Sequence, residues 1–153
     1  MKTYEPHRSS LGPDANLIVA LVWFGGVLLN WMNLGVLSPL VPIFILFVEK
    51  ESGLVKYHAL QALALMIFSV LATIGLSITI IGILFIPVLY IVLFIFTVIA
   101  TLRGWKYQTY DLPWIQGIVR WLSSVLHISP VLYIVLFIYS VIATFILFSL
   151  SSR

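Results

Sequence analysis

Apolar residues run along this chain in stretches too long for one helix, and polar positions gather in a few short clusters between them. From Asn16 to Val48 a single helix would reach about 50 Å, well beyond the roughly 30 Å hydrocarbon core of a bilayer. The stretch therefore breaks at Asn30, Asn33, Gly35, Ser38 and Pro39, where side chains compete for backbone bonds and a ring removes a donor. This predicts a short hairpin over 16–48, made of helices over 16–32 and 36–48. Tyr57 to Leu102 is also too long for one span, and Gly82 with Pro87 predicts a break into helices over 56–81 and 86–102. Pro130 to Leu150 predicts a fifth span. Between the last two, near 112–127, Gln116, Arg120, Ser123 and His127 share one edge of a helical wheel, while Trp114, Ile115, Ile118, Leu122 and Val125 lie elsewhere. That segment reads as an amphipathic helix lying in the headgroups.

The expected fold is thus an all-α integral membrane bundle of about five transmembrane helices. Residues 1–15 form a polar tail holding Lys2, Glu5, His7, Arg8 and Asp14. Composition agrees: 62% of residues are hydrophobic and 8% charged, against about 25% charged in a soluble domain, and the mean hydropathy is +1.17. A soluble enzyme is excluded, because so few charges cannot coat a globule of this size. The absence of cysteine excludes thiolate metal sites and thiol catalysis. The net charge of +3 is spread over separated loops and makes no basic stripe for nucleic acid.

The positive residues instead report topology. With 16–48 as a hairpin, Lys2, Arg8, Lys50, Lys56, Arg103, Lys106 and Arg120 share one side and Arg153 alone lies opposite. The tail, with no basic start placed directly before a short apolar run, does not read as a cleavable signal. The expectation is a multi-pass protein of a bacterial plasma (inner) membrane, amino terminus cytoplasmic, with a plastid or photosynthetic membrane as the alternative.

An internal repeat stands out. Residues 87–101 read PVLYIVLFIFTVIAT and residues 130–144 read PVLYIVLFIYSVIAT, differing only at Phe96 against Tyr139 and Thr97 against Ser140. We read a duplication, with 123–153 as an extra carboxyl-terminal unit copied from 86–102. Tyr90, Thr97 and Thr101 fall within about 40° of one another on a helix, as do Tyr133, Ser140 and Thr144. Each set makes a small, polar stripe suited to helix packing.

Candidate chemistry is sparse. His58, Ala62, Ser69, Thr73 and Ser77 occupy an arc of about 100° on the third helix. His58, Ser69, Thr73 and Ser77 suit either a polar path or ligand seat, or ordinary helix contact. His58 suits a metal or pigment ligand, a proton relay, or a bond holding a loop by a carbonyl. Glu49 and Glu51 flank Lys50 in what reads as a solvated loop, and Asp111 with His127 lacks a nucleophile in an identifiable setting. No metal site or cofactor is expected.

One resemblance joins these features. Pro39 and Pro42 in a broken hairpin precede Phe47, Val48, Glu49, Lys50 and Glu51. Then come Val55, Lys56, Tyr57, His58, Ala59, Leu60, Gln61 and Ala62, and after the fourth helix Ala100, Gly104, Tyr107, Asp111, Leu112 and Pro113. In this order the stretch over 16–122 resembles a family of small bacterial four-helix membrane proteins related to the twenty-kilodalton component of the chloroplast inner-envelope import translocon, a Tic-twenty-like domain. The resemblance implies a helical membrane domain, no enzyme activity, no cofactor and, for the plastid branch, protein import. The leading expectation is a non-enzymatic accessory or scaffold subunit of a larger membrane complex, related to protein translocation. Its partners would be the lipid bilayer and other membrane proteins or further copies of the chain. Alternatives are a small channel or carrier lined by Ser69, Thr73 and Ser77 with Tyr90 and Thr97, and a pigment- or haem-binding subunit using His58 or His127.

Overall fold

A computed structural model describes residues 2–31, 37–112 and 114–128. Five helices follow in order: α1 Ala15–Trp31, α2 Leu40–Val48, α3 Gly53–Ser77, α4 Ile80–Trp105 and α5 Gln116–Ile128. Among the described residues there is no strand, only isolated bridges between Thr3 and Gln108 and between Arg8 and Asp14. α3 is central and packs against each of the other four helices, while α1 also packs against α2 and α4.

Among the described residues two helices, α3 and α4, are long and apolar enough to cross a membrane. α1 spans about 25 Å and α2 about 14 Å at 1.5 Å per residue, so α2 falls short of a roughly 30 Å core. Two of the roughly five expected spans thus have the length and apolarity to cross a membrane among the described residues, and the expected fifth span over 130–150 lies outside them.

The turn between α3 and α4 also falls elsewhere than Gly82 and Pro87. Ser77 ends α3, and Thr79 caps α4 by accepting the Gly82 N–H at 2.9 Å. A hydroxyl that satisfies an orphan N–H starts a helix where the hydropathy pattern shows no interruption. Gly82 serves this turn by its small size, since a Cβ there would lie 2.1 Å from the Leu76 carbonyl oxygen. Pro87 sits inside α4, where it removes one hydrogen bond without ending the helix.

The core occupies one half of the molecule. On α3 the buried residues run from Leu54 to Leu65, and on α4, apart from Gly82, from Leu93 to Gly104. They meet Val19, Val22 and Trp23 of α1, Ile43 and Ile45 of α2, and Ile115, Val119 and Leu122 of the last segment. α5 thus turns an apolar edge toward the core, while Trp114 and Trp121 are exposed. Beyond this half the α3–α4 hairpin projects with a bare apolar surface that includes Leu71, Ile74, Ile78, Ile81 and Leu84.

Charge lies at the other end. Lys2, Glu5, Arg8 and Asp14 of the tail, Glu49 to Glu51 between α2 and α3, Lys56 in the first turn of α3, and Arg103, Lys106 and Asp111 after or near the end of α4 are brought together there. The tail is folded onto that end. Tyr4 N–H donates to the Tyr107 carbonyl at 2.8 Å, Thr109 N–H donates to the Lys2 carbonyl at 2.9 Å, and Ala15 N–H returns to the His7 carbonyl at 3.1 Å. Gly12, at φ 99°, makes the tight bend that a side chain would strain.

Candidate functional site

The polar side chains at the charged end form two knots. The first begins at Glu49, the residue that closes α2. Its backbone N–H donates to Ile45 at 2.9 Å and its side chain is only 1% exposed. Five donors converge on the carboxylate. Oε1 receives Ser10 Oγ at 2.8 Å, Ser10 N–H at 3.2 Å, Glu51 N–H at 3.1 Å and Ser52 N–H at 2.9 Å, and Oε2 receives the hydroxyl of Ser9. Burial pushes this carboxyl up, but the bonds from the Ser52 backbone, from Ser9 and from Ser10 outweigh it and hold it at about 2, well below its usual 4.5. The carboxylate also faces the amino terminus of α3, where the helix dipole favours negative charge.

Ser52 links this knot to the tail. Its hydroxyl caps α3 by accepting Val55 N–H at 3.2 Å and lies 2.8 Å from His7 Nε2. His7 Nδ1 donates to the Glu5 carbonyl at 2.8 Å. Glu49 was expected in a solvated loop and is instead the buried anchor of the amino-terminal tail. Its serine partners lie forty residues earlier, beyond any local pattern.

The second knot surrounds His58, which is fully buried. Trp23 Nε1 donates to His58 Nδ1 at 3.1 Å, and His58 Nε2 meets the Gln108 carbonyl at 3.0 Å. An indole N–H only donates and a carbonyl only accepts, so Nδ1 carries the lone pair and Nε2 carries the proton. Both ring nitrogens are therefore taken by protein groups, which leaves no lone pair pointing at an ion. Gly104 makes this closeness possible, since a Cβ there would lie 2.2 Å from Val19 Cγ1 and 3.4 Å from His58 Nε2.

Beside His58, Tyr57 donates its hydroxyl to Asp111 and accepts Gln61 Nε2 at 3.0 Å, while Gln116 Nε2 reaches Asp111 at 3.3 Å. α3, the segment after α4 and the start of α5 are thereby tied together. Gln61 Oε1, buried, has no partner among the described residues. Trp23, Tyr57, Gln61, Gln108 and Asp111 all belong to the arrangement, and the sequence reading singled out none of them as a partner of His58.

The other expected residues are placed separately. Ser69 Oγ donates to the Met66 carbonyl and Ser77 Oγ to the Thr73 carbonyl, each at 2.7 Å on their own helix. Thr73 Oγ1 lies 3.5 Å from the Tyr90 hydroxyl, across to α4. Thr97 and Thr101 are buried, donating to Leu93 and Thr97 carbonyls at 3.0 and 2.8 Å. Tyr90 is exposed, so the stripe divides into a buried half and an open one. Tyr133, Ser140 and Thr144 lie outside the described residues, and so does the side chain of His127. No group of three or more metal-ligating side chains occurs among the described residues.

A family model described as the magnetosome magnetite crystal formation protein family, MamF/MmsF, matches residues 14–122. No curated protein and no solved structure matches the chain. The family match overturns the Tic-twenty-like resemblance, and protein translocation loses its support with it. The motifs around His58 and Gly104 that carried the resemblance lie within the matched region. Apolar helices align readily with one another, so the order of such features did not discriminate between families.

Proposed function

The chain belongs to the magnetosome magnetite crystal formation protein family, and from that premise we propose that it is a non-enzymatic, multi-pass protein of the bacterial magnetosome membrane that acts as an accessory in forming magnetite crystals. The family match over residues 14–122 carries this reading. Two physical features support it. α3 and α4 are long and apolar enough to cross a bilayer, and the bare apolar half of their hairpin suits lipid or a neighbouring membrane protein better than water. The polar knots, moreover, spend their donors and acceptors on holding helices and tail together.

In this reading the tail, the α2–α3 loop and the end of α4 lie on the cytoplasmic side, following their shared basic residues. The bundle associates with other membrane proteins or further copies of itself. The direct test is deletion of the gene in a magnetite-forming bacterium, with a fluorescent fusion to locate the product. Label on the crystal-bearing membranes, together with crystals altered in size or number under electron microscopy and restored by complementation, is the expected result. Label confined to other membranes, with unchanged crystals, would exclude the proposal.

A further inference from the structure

At the end of α4 the chain turns back on itself. Tyr107 N–H donates to the Gly104 carbonyl at 2.9 Å and Gln108 N–H to the Arg103 carbonyl at 3.0 Å, a Schellman closure with Tyr107 at φ 56° in the position usually given to glycine. The turn brings Gln108 beside Arg103, whose Nη1 donates to Gln108 Oε1 at 3.2 Å. A groove of about 410 Å³ opens there, lined by Ile99, Leu102, Arg103, Lys106 and Gln108. It is apolar on the side toward the helix body and cationic at the helix end.

We infer that this groove seats the anionic headgroup of a membrane phospholipid, its phosphate held between Arg103 and Lys106 and an acyl chain laid along Ile99 and Leu102. Charge and depth both favour this occupant. Arginine presents a planar fork matched to phosphate oxygens, and lysine adds a point charge. The last carbonyls of α4 already accept the N–H groups of Lys106, Tyr107 and Gln108, so they present less negative charge to an incoming anion. The nearby carboxylate Asp111 is engaged by Tyr57 and Gln116. Exposed Trp105 ends α4 between Arg103 and Lys106, and tryptophan concentrates at the headgroup level of a bilayer. Ile99 and Leu102 lie on the helix body side of the cations, where acyl chains begin.

This inference rests on the membrane placement of α4. Its test is native mass spectrometry of the full chain in nonionic detergent, titrated with phosphatidylglycerol, with phosphatidylcholine of the same chains, and with inorganic phosphate as competitor. Phosphatidylglycerol is expected to bind in preference. Arg103→Gln with Lys106→Gln should weaken it by about tenfold or more, whereas Lys50→Gln with Lys56→Gln, an equal loss of charge at the same end, should leave it nearly unchanged. Should the first pair fail to fold by circular dichroism, Lys106→Glu alone, at an exposed side chain, gives the same comparison. Equal retention of lipid by both pairs would overturn the groove while leaving the membrane placement standing. Equal weakening by both pairs, equal binding of the two lipids, or displacement of the lipid by inorganic phosphate at matched concentration would overturn it as well.

Discussion

Trp23 of α1 donates its indole N–H to Nδ1 of His58 on α3 at 3.1 Å, and the opposite ring nitrogen of His58 holds the Gln108 carbonyl beyond α4. One imidazole thus joins three parts of the chain in the bundle interior. Trp23→Phe keeps most of the ring volume but leaves the Nδ1 lone pair buried without a donor, at a cost of about 1–3 kcal/mol. His58→Ala orphans two partners and opens a cavity, so it should lower the unfolding midpoint further. Denaturant unfolding of both variants in the same detergent checks the order; equal midpoints for wild type and both variants would mean the bond contributes nothing.

Glu49 gives a pH dependence with a defined sign. Its carboxyl is held at about 2 in the folded chain against 4.5 ordinarily, so the folded state binds its proton less readily than the unfolded state. The stabilisation is complete above 4.5 and is lost as pH falls from 4.5 through 2. Glu49→Gln should be less stable than wild type at neutral pH, and the gap should shrink across that acidic window. Thermal unfolding from pH 7 to 2 reads it directly, and a gap constant down to pH 2 would count against the ionised carboxylate as the anchor.

The parts of this molecule that were legible in its sequence are those written in local composition. The helical nature of the chain, the charged breaks near Glu49 and Arg103, and the amphipathic edge of α5 all follow from runs of adjacent residues. The break between α3 and α4 was displaced because a hydroxyl cap at Thr79 overrides the usual meaning of Pro87, which an apolar helix tolerates. The knots were illegible for another reason. Ser9 and Ser10 meet Glu49, and Trp23 meets His58, only after α1 and α2 fold back onto α3, and no period of 2 or 3.6 records such pairings. His58 stood out as a polar residue entering an apolar helix, but its partners did not.

Gly104 separates α4 from the segment that repeats it. Leu93, Thr97, Ala100 and Thr101, buried on α4, have counterparts Leu136, Ser140, Ala143 and Thr144, but the counterpart of Gly104 is Leu147. With Val19 Cγ1 2.2 Å from the position of a Cβ, Gly104→Ala should destabilise the bundle by about 1–3 kcal/mol, and Gly104→Leu more. Gly117→Ala is the control: nothing lies within 4 Å of its Cβ position, and a helical glycine replaced by alanine gains about 0.5–1 kcal/mol. Opposite shifts of the two unfolding midpoints are expected. A neutral Gly104→Ala would mean that α1 and α4 separate easily.

Topology follows from which ends are tied together. The tail reaches Thr109 through Lys2 and reaches Glu49 through Ser9 and Ser10, so residues 2–14, 49–53 and 103–111 lie together at one end of the bundle and, in the proposed reading, on one side of the membrane. The chain has no cysteine, which permits single probes without background. Ser10 and Ser52 are poor sites because the Ser10 hydroxyl binds Glu49 and the buried Ser52 hydroxyl caps Val55 and meets His7, but Glu5, Glu51 and Lys106 are exposed. Glu5→Cys, Glu51→Cys and Lys106→Cys should all label with a membrane-impermeant maleimide from the same side, the cytoplasmic one in the proposed orientation. A probe in the α3–α4 turn, Ile78→Cys, should be shielded from that side. Labelling of Glu5→Cys and Glu51→Cys from opposite sides would require the tail to leave Glu49, and would dismantle the first knot along with the proposed orientation.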